Sequence, residues 1–141
     1  MAAKRKPKSE AGAVAVEFAL IIPIFLVLVL GIMEFGRAFN IQVSLSEAAR
    51  EASRYAAVNC PKAEYDPADA KAAALAAAPS VPLTVSDVNI QYSGSGVCSA
   101  VNNVVVTVSY NTSYMTGLPG LVPGMPAGLS ITSKGVMRCG G

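Results

Sequence analysis

Hydrophobic and polar positions divide this chain into stretches with different periods. From Ala11 to Met33 nearly every residue is apolar, and Glu17 is the only charge in the run. A helix of that length is roughly 35 Å long, enough to cross a hydrocarbon core of about 30 Å. Pro23 removes one helical hydrogen bond and predicts a kink, which membrane helices tolerate. A cleaved secretory signal peptide has a shorter apolar region of about 7–15 residues, and no A-x-A site directly follows this one. The run therefore reads as a membrane-spanning helix.

Beyond Met33 the apolar residues thin out to three- and four-residue steps. Phe35, Ala38, Phe39, Gln42, Leu45, Ala48, Ala49, Ala52, Tyr55 and Ala56 form a stripe at the helical period. Glu47, Arg50, Glu51 and Arg54 fall off it, as two i,i+3 pairs worth at most a few tenths of a kcal/mol each. One helix is predicted over 13–57, its first half in lipid and its second half outside. Glu34 and Arg37 read as interfacial anchors and a weak ion pair, ahead of a contact with another subunit. Gly31, Gly36 and Ala38 permit close helix approach, although their spacing is not a clean GxxxG.

After Asn59-Cys60-Pro61 the pattern changes again. Asp66-Pro67-Ala68-Asp69 is a helix start, with an Asp cap and Pro at the first helical position, and predicts a short helix over 67–78. From Val81 the period becomes two. Leu83 and Val85 alternate, then Val88, Ile90 and Tyr92 alternate in the opposite phase, so a bulge or bend is expected at Ser86-Asp87. Ser93-Gly94-Ser95-Gly96 reads as a flexible connection. Val104, Val106, Val108, Tyr110, Thr112 and Tyr114 give a second strand, and Leu129 to Arg138 a third. Between those two, Gly117 to Gly128 holds three Pro and four Gly and is predicted to be non-helical, folding back over the sheet or docking another subunit. The expected class is α+β: a long N-terminal transmembrane and amphipathic helix, a short helix, and a small antiparallel three-stranded sheet.

Charge adds a direction to this picture. Lys4, Arg5, Lys6 and Lys8 precede the apolar run, which predicts a cytoplasmic N-terminus and an exported C-terminal part. Beside a membrane helix these residues read as topology determinants rather than a nucleic-acid site. The absence of His removes the commonest general base and transition-metal ligand. With 14% charged residues and three Cys, the composition disfavours an enzyme and a four-thiolate zinc site. No phosphate loop and no nucleophile with its base is found. Asp66 and Asp69 serve a helix start better than a metal pair. No catalytic residue, metal, cofactor or small-molecule substrate is expected. Asn111-Thr112-Ser113 matches a glycosylation sequon by a triplet that also arises by chance.

Exported thiols can oxidise. Three cysteines allow three single bridges. An antiparallel meander brings the end of its first strand, at Cys98, beside the end of its third, at Cys139. A Cys98–Cys139 disulfide is expected, leaving Cys60 to pair between subunits or stay buried. A loop of that size contributes about 3–4 kcal/mol in the chain-entropy view.

Glu17 is the exception that the membrane run must explain, because a charge costs up to about 2.5–3.5 kcal/mol at the bilayer centre. Were the chain cut after Gly12, Ala13 would be the new N-terminus and Glu17 its fifth residue. The carboxylate would then neutralise that ammonium, or the one on a neighbouring copy. The plain alternative is a snorkelling Glu near the interface. Gly followed by an apolar helix with Glu at the fifth position resembles the processing site of type IV prepilins. Gly12-Ala-Val-Ala-Val-Glu17-Phe18-Ala-Leu, Pro23, Gly31-Ile-Met-Glu34-Phe35-Gly36-Arg37 and Ala48-Ala49-Arg50-Glu51-Ala52-Ser53-Arg54-Tyr55-Ala56 are similar, in that order, to the TadE-like family of the Tad (Flp) pilus system. The resemblance covers about residues 11–57.

It implies a basic leader over 1–12, a pilin-like stem over 13–57 and an exported α+β domain over 58–141. It implies a pseudopilin or minor pilin that a prepilin peptidase cuts between Gly12 and Ala13, and that works with other pilin subunits, a pilus assembly platform and the lipid bilayer. The expected location is the cytoplasmic membrane, single-pass, N-terminus in and C-terminus out, and a surface pilus after assembly. An uncleaved, membrane-anchored interaction module of a secretion machine is the competing reading. Removal of the leader takes away four basic residues and Glu10, so a formal charge of +2 becomes −1.

Overall fold

A computed structural model of the protein describes residues 11–94 and 96–140. Its first element, α1 (Ala11–Asn59), is a single helix of 49 residues, roughly 74 Å at the standard rise. Pro23 lies inside it and α1 continues through that position. The run of helix formers from Ala48 to Ala57 carries it two residues past the predicted end. The stem closes where Asn59 and Cys60 bond back onto the carbonyls of Tyr55 and Ala56.

Helix α2 (Pro67–Ala77) starts as its sequence predicts. The Asp66 carboxylate accepts a hydrogen bond from the Ala68 amide at 2.8 Å, and Pro67 occupies the first helical position, where its missing N–H costs nothing. The stretch expected to begin the sheet does something else. Val85–Asp87 is a 3-10 turn, and the sheet begins only at β1 (Val88–Tyr92). Asp87 accepts from both the amide and the hydroxyl of Thr84, at 2.8 and 2.7 Å, and so winds the chain where a bulge or bend was expected. The phase change between Val85 and Val88 marks that turn.

Strands β2 (Asn103–Ser113) and β3 (Gly128–Arg138) complete an antiparallel sheet of order β1-β2-β3. Val88 pairs with Val108, Ile90 with Val106 and Tyr92 with Val104. Across the other edge of β2, Val104, Val106, Val108 and Tyr110 face Met137, Gly135, Ser133 and Ile131. These residues share one face by the period-two rule. That face lies against the second half of α1, with α2 packed on α1 beside it.

Stem and head are therefore one packing unit. Ile41, Leu45, Ala48, Ala49, Ala52, Ser53, Ala56 and Ala57 are buried together with Val88, Val104, Val106, Val108 and the α2 residues Ala70 and Ala74. The predicted stripe is right from Leu45 onward and rotated before it. Ile41 and Glu34 turn toward the head, whereas Phe35 and Phe39 stay 76% and 63% exposed. Small helix residues allow the sheet to come close. A Cβ at Gly135 would run into the Ala49 carbonyl, so β3 meets α1 backbone to backbone at this point. Tyr92 donates to the Tyr65 hydroxyl at 3.3 Å, and burial together with that bond pushes the Tyr65 phenol up.

Candidate functional site

The feature that separates this molecule from an ordinary small α+β domain is the first half of α1. Residues 12–28 are exposed throughout, although they include Val14, Val16, Phe18, Leu20, Ile21, Ile22, Ile24, Phe25 and Leu26. The helix is long and apolar enough to cross a membrane, and none of its most apolar window is buried inside the protein. A surface this apolar and this long on one chain marks contact with lipid or with other chains.

The predicted processing and assembly residues all lie at the start of that surface. Gly12 and Ala13 are in the first turn of α1, and Glu17 is exposed one turn further on. Ala13 and Glu17 are i,i+4 neighbours, about 6 Å apart along the axis and on one face. The basic residues Lys4, Arg5, Lys6 and Lys8 lie outside the described residues.

At the other end of the apolar run the helix is clamped. Glu34 is 9% exposed and accepts a hydrogen bond from the Thr116 amide at 2.6 Å. Arg37 donates to the Ser113 carbonyl at 2.8 Å and to the Thr112 hydroxyl at 2.9 Å. The expected Glu34–Arg37 ion pair is not what these side chains make: each is spent on the end of β2 and the turn after it. Burial works against the Glu34 charge, but bonds from Thr116 and Met115 and the Arg37 charge outweigh it and hold the carboxyl below its ordinary value of 4.5. Sequence reading missed this clamp because its partners lie 75–82 residues apart and carry no periodic signal. Of the two surface pairs, Glu51–Arg54 forms at 2.6 Å. Among the described residues Glu47–Arg50 does not.

The segment between β2 and β3 also departs from expectation. Leu118–Leu121 forms one helical turn, α3, with Pro119 in the first turn where helices accept it. It packs against α1. It does not lie across the sheet face, which α1 already covers.

The cysteines gather at the far tip of the stem. The disulfide joins Cys60 to Cys98, whose Cα atoms are 6.0 Å apart, and Cys139 is free and buried. The expected Cys98–Cys139 pair is thus replaced. The meander does bring Cys139 to Cys98, and all three sulfur atoms lie within 4.8 Å of one another. The helix end, left out of the strand argument, delivers Cys60 to the same spot. The Cys139 amide bonds to the Asn102 carbonyl and the Gly140 amide to that of Ala57, which tie strand end, turn and stem tip together. With two sulfurs joined to each other, the cluster carries thiol–disulfide chemistry rather than a set of three thiolates.

Residues 12–54 match the family model of the TadE-like proteins, a Tad pilus-related family. The matched segment is the bare stem, the clamp residues Glu34 and Arg37, and most of the buried stripe. No curated protein and no solved structure matches the chain.

Proposed function

We propose that this chain is a TadE-like pseudopilin or minor pilin, anchored in the cytoplasmic membrane by residues 13–33 and incorporated into, or used to initiate, a Tad (Flp) pilus. The observation that carries the reading is the bare apolar half of α1, with Glu17 as its single charge, inside the segment that matches the family. The basic stretch over 1–12 is a leader, the stem follows it, and residues 58–141 are the exported part.

In this scheme the leader holds the N-terminus in the cytoplasm until a prepilin peptidase hydrolyses the Gly12–Ala13 bond. That bond lies in the first turn of α1, where a helix frays most easily and where Gly weakens it further. Hydrolysis leaves an ammonium on Ala13 at the positive end of the helix dipole, an unfavourable place for it. Glu17 offsets that charge, on its own chain or on a neighbour shifted along the bundle. Stems then exchange lipid for one another, and the work of the protein is packing with other pilin subunits on an assembly platform.

N-terminal and intact-mass analysis of the protein purified from its own cells is the test. A chain beginning at Ala13 is expected. A retained leader in surface filaments would overturn the processing step and favour an uncleaved anchored module. Glu17→Ala should insert in the membrane normally and fail to enter filaments. Normal filament incorporation of that variant, followed by immunoblotting of sheared fibres, would remove Glu17 from the assembly role.

A further inference from the structure

The segment between β2 and β3 lies where the apolar run of the stem ends. Residues 12–28 of α1 are exposed, yet Val29, Leu30 and Gly31 are half-buried. Glu34, one helical turn further on, is bonded to the Thr116 amide, and α3 follows two residues after Thr116 and packs against α1. The burial of α1 thus changes at the level where this segment meets it. The bonds of Glu34 and Arg37 hold it at that level of the stem.

Its outward face is apolar. Met115 is 74%, Leu121 61% and Val122 39% exposed. No Asp, Glu, Lys or Arg occurs between Asp87 and Lys134, and the two charges at the segment's base, Glu34 and Arg37, are bonded to it. Phe35, next to Glu34, and Phe39, one turn further out, are both exposed and extend the apolar surface there. Irregular backbone is not tolerated in the hydrocarbon centre, which limits such a segment to the boundary between headgroups and acyl chains.

We propose that residues 115–125 form a membrane-dipping rim, with Met115, Leu121 and Val122 inserted into the leaflet from which the stem emerges. The occupant of this apolar surface is the lipid bilayer, because the surface is continuous with the membrane-spanning run and fixed at its edge. The inference rests on the reading of α1 as a membrane helix. It adds a second contact that sets how the head stands on the membrane: seated on it, instead of swaying on a free stalk.

The chain has no Trp, so single probes report without background. The full chain is reconstituted into phosphatidylcholine vesicles containing lipids brominated near the headgroup end of the acyl chain, to read position 121, and in parallel into vesicles brominated near its methyl end, to read position 25. Leu121→Trp is compared with Phe25→Trp in the span and with Val101→Trp, which is 82% exposed at the far tip, roughly 35 Å along the stem from Glu34. Expected are quenching and a blue-shifted emission for the probe at position 121, quenching at position 25, and neither at position 101. Quenching at position 25 with none at 121 overturns the rim and leaves the membrane helix standing. A blue shift at 121 without quenching also overturns it, and assigns the surface to a second copy. No quenching at position 25 overturns the membrane reading itself and the rim with it. Val122→Trp repeats the measurement should the first variant fold poorly.

Discussion

One helix carries two surfaces that follow different rules. Along residues 12–28, α1 displays bulky aliphatic and aromatic side chains, all exposed and without a packing partner among the described residues. Along residues 41–57 it presents Ile41, Leu45 and a row of Ala with Ser53, all buried against the sheet and α2. The difference is one of size as much as of hydrophobicity. Ala-rich turns let β3 approach until Gly135 lies on the helix backbone, which larger residues would prevent. The bulky half offers no such seat for a sheet and is left for lipid or for other chains. A domain of this size has a small core of its own. Borrowing half of a long helix enlarges it.

The same substitution made in each half should separate the two roles most widely. Leu45→Ala removes a fully buried side chain and should lower the stability of the head by about 2–5 kcal/mol. Leu26→Ala, at a position 51% exposed, should leave it unchanged. Denaturant unfolding of the full chain in detergent, followed by the Tyr signal, measures both. Equal losses would mean that the head does not depend on the buried half in the way the packing requires.

The clamp between the two halves predicts a smaller, pH-dependent effect. The Glu34 carboxyl is held below its ordinary value of 4.5 in the folded chain, so its contribution is present above that pH and is lost as pH falls through the folded value. The melting temperature of the natural chain should therefore drop more between pH 6 and pH 3 than that of Glu34→Gln. Parallel curves would show that the Thr116 bond does not hold the turn in solution.

The smallest change is expected at the tip. In Cys60→Ser the sulfurs of Cys98 and Cys139 remain within reach, and a bridge between them would close a loop close in length to the 38-residue separation it replaces. Non-reducing peptide mapping should find Cys98–Cys139, with stability near that of the natural chain. Two free thiols in the folded variant would show that only the stem end can reach Cys98.

Much of this architecture is legible in the order of residues, for local reasons. Hydrophobic runs and periods mark α1, β2 and β3 because each element needs its own spacing to bury one face. Asp66-Pro67 marks α2 because capping is chemistry within one turn. The sequence likewise singles out Gly12, Ala13 and Glu17, since their relation is one turn of a helix. Where local signals compete, the reading slips. Leu83 and Val85 alternate like a strand, but Thr84 and Asp87 bond to each other first. Gly and Pro from 117 to 128 read as a loop, yet Pro119 is acceptable in the first turn of α3.

Other features belong to tertiary structure alone. Glu34 and Arg37 look like an i,i+3 pair until the chain returns some 75 residues later and offers each a better partner. Strand topology brings two cysteines together, but only the end of the stem decides that Cys60 holds Cys98. Phe35 and Phe39 share the helical period of the buried stripe, and the rotation of the sheet about α1 leaves them outside it. By itself, then, the sequence determined which segments are helix, strand and membrane-long, because those follow from spacing and size along the chain. The folded structure decided which faces meet and which side chains pair, because distance in space depends on every element at once.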